Sequence, residues 1–541
     1  MSYFIGVDVG TSSARAGLVK KTENGGKLIK FHSEEIQIFK PSSGFFEQSS
    51  SNIWQKVCEC IKIVTSEIRD KSQIKGIGFD ATCSLVLLDK NLQPLTASPT
   101  KKHEQNVIMW LDHRAQEEAD FINSLKHDCL QFVGGKISLE MEVPKLLWLK
   151  KNLFEESFNK IHFAFDLPDF LTFKATGKDS RSVCSLTCKW NYDAIKGEFP
   201  KDYFKSIGLE ELCENNFKKI GDHVLFPGDL VGELSKEAAD EMNLLPGIAI
   251  GTSMIDAHAG AIGLIGSSTS QQRDIELTSK LILIAGTSTC HMSITRNILF
   301  CPNIWGPYKN ALIPNFFLHE AGQSACGILI DYILSSHQDY EKVLKQLNGK
   351  NIHDYLYCEI LRMSAAENLK SFHELTKNFH FYPDFHGNRS PIADSTLTGM
   401  AIGLTMHNSI AISYLAIIQA LVYSTKHIIE SLYQSGRDEF KSILICGGLS
   451  KNKLYVQTTA DVCKIPVLSS FESESVLIGS SMLGAKASGI FSSLEESINE
   501  LKNEAYQIEP DWNSFDYHDR KYRVFLKMLN DQNSYKIIMN E

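Results

Sequence analysis

Positive charge is in short supply in this 541-residue sequence: 55 Lys and Arg stand against 64 Asp and Glu, a formal charge of −9. That is the wrong sign for attraction to a phosphate backbone, so nucleic acid is excluded as an expected partner. Zinc-ligand spacing is also missing. The 13 cysteines are odd in number and scattered, and Cys58-Glu59-Cys60 has no downstream partner pair, which fits reduced thiols in the cytoplasm. No basic stretch, apolar run and small-residue cleavage site follow Met1, so secretion is not expected. One stretch, 395 to 425, carries no Asp, Glu, Lys or Arg. Polar residues such as Thr398, Asn408 and Gln419 interrupt it, and the spacing of Leu415, Ile418, Leu421, Val422, Ile428, Ile429 and Leu432 predicts a buried amphipathic helix over 411–432, not a membrane span. Disorder is excluded by a composition of 43% apolar and 22% charged residues.

What is present is length enough for two cores, and a pattern written twice. Residues 4–19 place Gly10-Thr11-Ser12 between two strand-like runs, and residues 281–294 do the same around Gly286-Thr287-Ser288. Short strands alternate with helical stretches in both halves, an α/β pattern. The repeat predicts two domains of similar topology, 1–268 and 276–490, divided near the polar run Gly266 to Arg273. Residues 491–541 form a helical tail whose clearest helix is near 516–530.

A turn of small residues leaves successive backbone N–H groups free to meet phosphate oxygens. A strand follows each Gly-Thr-Ser tip, where a P-loop or dinucleotide fold has a helix, so phosphates would be held between two hairpins. Asp8 could reach a Mg²⁺ ion on those phosphates or simply cap the turn. Gly447-Gly448, at the end of a strand, would let a flat base approach the backbone. Asp256, among small residues, is either a helix cap or a base that accepts a hydroxyl proton during phosphoryl transfer.

Together these motifs resemble the FGGY carbohydrate kinase family, within the actin-like and sugar-kinase ATPase superfamily, in the family's order from about residue 3 to 490. The resemblance implies a two-domain actin-like (ribonuclease H-like) α/β fold with an interdomain cleft, ATP and Mg²⁺ as cofactors, and Asp256 as the catalytic base. It assigns Gly10, Thr11, Ser12 and Arg15 to the first phosphate hairpin and Gly286, Thr287 and Ser288 to the second. Gly327 would lie beside the base, Gly447, Gly448 and Asn452 would form the adenosine site, and Asp8 would serve the metal. Asp384 to Pro391 resembles the loop before the family's C-terminal signature. Lys145 to Leu149 is similar to its N-terminal signature, although Glu142 and Val143 depart from it. His258 reads as structural.

Glycerol kinases resemble Asn-Gln-Arg-Glu-Thr after the strand at 76–79, and xylulokinases Gln-Met-His-Gly. This chain has Thr82-Cys83-Ser84-Leu85-Val86 instead, which is similar to the D-ribulokinase group. Trp110, Asp112, Lys145 and Glu320 then join Thr82 and Cys83 as expected sugar contacts, although Trp110 could be core, Asp112 with Arg114 an ion pair and Lys145 a solvated helix residue. The implied activity is transfer of phosphate from ATP to the 5-hydroxyl of D-ribulose. An L-ribulokinase, a broader pentulose or pentitol kinase, and an ATPase switch without a sugar are the alternatives. The expected partners are a small sugar and ATP, with a homodimer compatible and no membrane.

Overall fold

The computed structural model describes residues 2–269 and 276–541. Two seven-stranded sheets organise it. In the first, Tyr3–Val9 and Ser13–Thr22 form an antiparallel hairpin extended by Gly25–Glu35, and Ile74–Ala81 then runs parallel to Tyr3–Val9 on its other side, followed by Ala249–Gly251. In the second, Lys280–Ala285 and Thr289–Thr295 form the hairpin, Phe317–Gln323 extends it, and Ser442–Cys446 and Val467–Ser470 continue in parallel. Order and sense agree strand for strand, so the repeat read from two Gly-Thr-Ser turns is a repeat of topology. The apolar runs fit their places: Phe4, Ile5, Val7 and Val9 are fully buried, as are Leu281, Ile282 and Leu283, because helices cover both faces of a central strand.

Each turn is closed by its own backbone. Gly10 N–H donates to Ser13 O at 2.9 Å, and Gly286 N–H donates to Ser288 O at 2.8 Å. The register sets Asp8 opposite Arg15 within the first hairpin and level with Asp80 on the parallel neighbour.

Two helices cross between the sheets, Asp256–Ile265 and Ser475–Ala487. Their contact is backbone to backbone: a Cβ on Gly263 would stand 2.0 Å from Ser475 O, and one on Gly479 would stand 1.8 Å from Ala259 O. Helix Ser475–Ala487 also lies on the first sheet, where a Cβ on Gly6 would meet Leu477 O at 1.9 Å. A segment beyond the expected boundary near 268 thus packs in space with the first half of the chain. Ser270 to Arg273, part of that boundary, lies outside the described residues.

The uncharged stretch forms helix Ile410–Gln434, which is long and apolar enough to cross a membrane but is mostly buried inside the protein. The tail is not helical throughout. Ala505–Ile508 pairs with Val467–Ser470 as an edge strand of the second sheet, and helix Phe515–Asn540 buries Tyr522, Phe525, Met528 and Leu529 against the C-terminal half.

Candidate active site

The two hairpin tips face one cavity of about 370 Å³. Asp8, Gly10, Thr11 and Arg15 line it from the first half of the fold and Gly286, Thr287 and Ser288 from the second; Asp256, Thr82, Cys83, Trp110 and Glu320 complete the expected wall. A larger cavity of about 510 Å³, near His127 and Tyr192, holds none of the motif residues.

Asp256 opens its helix directly after Met254–Ile255, a short strand beside Ile74–Ala81. The carboxylate therefore sits at a helix N-terminus, where Ala257 N–H donates to Oδ1 at 2.7 Å. Burial, then the charge of Asp8, pushes its pKa up to about 6. Such a carboxylate is ionised at neutral pH yet basic enough to accept a hydroxyl proton. Asp8 accepts from Arg15 Nε at 2.7 Å and again from Nη2. Behind it Asp80 is fully buried, and no hydrogen-bond partner is found for either carboxyl oxygen among the described residues. Burial, then Asp8 and Asp256, drives the Asp80 carboxyl well above its ordinary range. An oxygen donor of this kind suits a hard cation such as Mg²⁺, and Asp8 would hold it.

The wall expected to meet the sugar differs from expectation at two residues. Lys145 is sealed in the core with Nζ 3.1 Å from Glu142 Oε2, and neither side chain is exposed; burial, only partly offset by Lys145, lifts the Glu142 pKa to about 8. Asp112 is also buried. It accepts from Arg114 Nε at 2.8 Å and from Phe46 N–H at 2.6 Å, while Arg114 also reaches Glu47 at 2.7 Å. Both carboxylate oxygens are thus occupied by protein, and neither Asp112 nor Lys145 lines the cavity.

Three charged residues absent from the sequence reading stand there instead: Lys189, Glu140 and Arg389. Arg389 is 3.1 Å from Glu320 and 3.5 Å from Glu140, and Lys189 is 3.7 Å from Glu140. Lys189 and Arg389 each stand beside a carboxylate, so this stretch of the wall offers hydrogen-bonding groups whose charges are paired. Arg389 lies inside the quoted Asp384 to Pro391 segment, and Lys189 ends a helix, Val183–Lys189, that is buried at every position; a lysine in such a setting is a signal. Burial opposes ionisation of Glu320, but His258, Lys189 and Arg389 overcome it and hold its pKa at about 2. Trp110 donates from Nε1 to Thr11 Oγ1 at 3.1 Å, tying the sugar wall to the first tip.

Of the residues expected to bind nucleotide, Gly327 and Gly447 lie against the second hairpin. Gly327 N–H donates to Gly286 O at 3.0 Å and Cys326 N–H to Thr287 O at 2.8 Å, setting the start of helix Gly327–Ser335 against the hairpin. Gly447 has φ +88° and a Cβ there would meet Ala285 O at 2.4 Å, whereas Gly448 opens onto free space. Asn452 accepts from Tyr455 N–H as a helix cap and donates from Nδ2 to Tyr414 Oη at 2.7 Å; its two amide ends are engaged away from the cavity. Ser12 is exposed at the first tip and does not line the cavity.

Comparison with known proteins agrees with this geometry. The FGGY carbohydrate kinase N-terminal domain matches residues 3–263 and the C-terminal domain residues 281–488. The chain is 45% identical to the human FGGY carbohydrate kinase domain-containing protein, over 100% of this chain and 98% of that one. It is 36% identical to a D-ribulokinase of Saccharomyces cerevisiae, over 90% of this chain and 72% of that protein. Among solved structures, gluconate kinase from Lactobacillus acidophilus superposes with a TM-score of 0.80 at 19% identity, covering 99% of each chain. Two matched domains on one repeated fold, with both glycine turns at a shared cavity, establish the chain as a member of the FGGY family of carbohydrate kinases, phosphotransferases that act on an alcohol group.

Proposed function

We propose that the protein phosphorylates the 5-hydroxyl of D-ribulose from ATP, giving D-ribulose 5-phosphate and ADP. The observation that carries this reading is the placement of Thr82 and Cys83 on the cavity wall that also holds Asp256. They begin the Thr-Cys-Ser-Leu-Val segment similar to the D-ribulokinase group, and a yeast D-ribulokinase is 36% identical. The paired charges of Glu140, Lys189, Arg389 and Glu320 suit an uncharged polyhydroxylated substrate, since among the described residues both cations at this end of the cavity stand beside carboxylates.

In this reading Asp256 accepts the proton of the 5-hydroxyl as its oxygen bonds to the γ-phosphorus, and the bond from that phosphorus to the β-γ bridging oxygen breaks, leaving ADP. The N–H groups at the two tips other than those of Gly10 and Gly286, which close the turns, hold the phosphates. Mg²⁺, when bound at Asp8, supplies neutralisation of phosphate charge. The test is a panel of D-ribulose, L-ribulose, D-xylulose, ribitol and glycerol with ATP, followed by identification of the phosphorylated carbon. D-ribulose leads and carries phosphate on C5; D-xylulose or glycerol equal to it, or ATP turnover indifferent to any sugar, overturns the reading.

A further inference from the structure

Helix Asp256–Ile265 carries a second polar side chain, His258, which is 1% exposed and does not line the cavity. Its Nε2 is 3.2 Å from Glu320 Oε2 and its Nδ1 is 3.0 Å from Cys184 Sγ. An ionised carboxylate only accepts, so Nε2 must carry the proton that is donated to Glu320. Nδ1 is then the atom shared with Cys184, either as acceptor from S–H or, in an imidazolium, as donor to the thiolate; in both cases the contact at Nδ1 pins the ring with Nε2 turned to Glu320. Glu320 is consequently gripped on both sides, with Oε1 accepting from Arg389 at 3.1 Å and Oε2 from His258.

Three elements meet through this chain. Cys184 lies on Val183–Lys189, whose last residue enters the cavity; His258 lies on the helix that begins with Asp256; Glu320 lies on strand Phe317–Gln323 of the second sheet. We propose that His258, its ring pinned at Nδ1 by Cys184, is the positioning residue that aims Glu320 at the substrate. The inference rests on the sugar reading of this end of the cavity and adds a residue that acts without touching substrate.

The isosteres separate positioning from general stability. Gln places an amide nitrogen near the His Nε2 position and Asn near Nδ1, so His258→Gln keeps the donor to Glu320 and His258→Asn loses it. His258→Asn should raise KM for the sugar on the order of tenfold or more with a smaller change in kcat, and His258→Gln should restore most of it. Cys184→Ser, which retains a hydrogen-bonding group, should stay closer to the native KM than Cys184→Ala. In a Glu320→Gln background, His258→Asn should add little, because the two act as a unit. A folded His258→Asn enzyme with native KM and a lower active fraction overturns the proposal; if that variant does not fold, equal KM values for Cys184→Ser and Cys184→Ala do so. If Glu320→Gln leaves every sugar KM unchanged, the sugar reading falls and takes the inference with it; a KM that moves with Glu320 but not with His258 removes the positioning role alone.

Discussion

Arg15 grips Asp8 with Nε at 2.7 Å and with Nη2, and its remaining nitrogen, Nη1, reaches Glu474 at 2.9 Å. The residue facing the phosphate site from the first hairpin is therefore also bound to the second half of the chain. A cation that takes Asp8 as a ligand competes with this guanidinium. Asp8→Ala should raise the Mg²⁺ concentration needed for half-maximal rate with a smaller effect on sugar KM; an unchanged Mg²⁺ dependence removes Asp8 from that role.

Asp256→Asn should lower kcat on the order of 10²–10⁴-fold while leaving ATP and sugar binding near native, because proton acceptance is the function lost. A variant retaining more than about half of the native rate would exclude Asp256 as the base.

The acid limb of the pH–rate profile should fall near pH 6. The base works only when ionised, and burial has raised the Asp256 pKa to about 6, so kcat/KM climbs as pH rises through that value and is lost below it. Stability takes the opposite sign: a folded pKa above the unfolded one means the ionised form is disfavoured by folding, with the penalty complete above about pH 6. Asp256→Asn should therefore unfold at a higher temperature than the native chain at pH 7.5, and at a more similar one at pH 4. A rate independent of pH between 5 and 8 contradicts the assignment.

Lys145 and Lys189 should separate cleanly. Lys145→Met leaves the buried Glu142 carboxyl without its partner and should cost about 1–3 kcal/mol of stability, seen as a lower Tm, with the sugar KM of the folded fraction little changed. Lys189→Met should raise sugar KM on the order of tenfold or more, because it removes a polar group from the wall. The reverse pattern would restore Lys145 to the pocket.

Glycerol should trail D-ribulose by at least on the order of 10²-fold in kcat/KM, since a three-carbon polyol leaves two or more groups of the closed wall unpaired. Near-equal values would mean that the wall does not read the length of the substrate.

The parts of the site legible in the sequence were those written in consecutive residues. Gly10-Thr11-Ser12 and Gly286-Thr287-Ser288 announce themselves because a tight turn constrains its own few residues, and Asp256 because it opens a helix of small residues. Lys189, Glu140 and Arg389 come from three distant segments and meet only in the fold. Lys145 and Asp112 stand off the cavity wall for the converse reason: a charge near a motif looks available, and here Glu142 engages the one and Arg114, already read as an alternative partner, the other. His258 was set aside on helical spacing from Asp256, yet the strand carrying Glu320 passes on the side to which it points. The edge strand Ala505–Ile508 was missed because a strand of four residues is defined by its neighbour, Val467–Ser470.

The crossing of Asp256–Ile265 over Ser475–Ala487 has a mechanical meaning. Helices that interlock through side chains resist turning, since ridges must lift out of grooves before they can settle elsewhere. At Gly263 and Gly479 there are no such ridges, only main chain against main chain. A side chain at either glycine would force the two helices apart, so the separation of the two sheets, and with it that of the two glycine tips, is set by what these positions leave out.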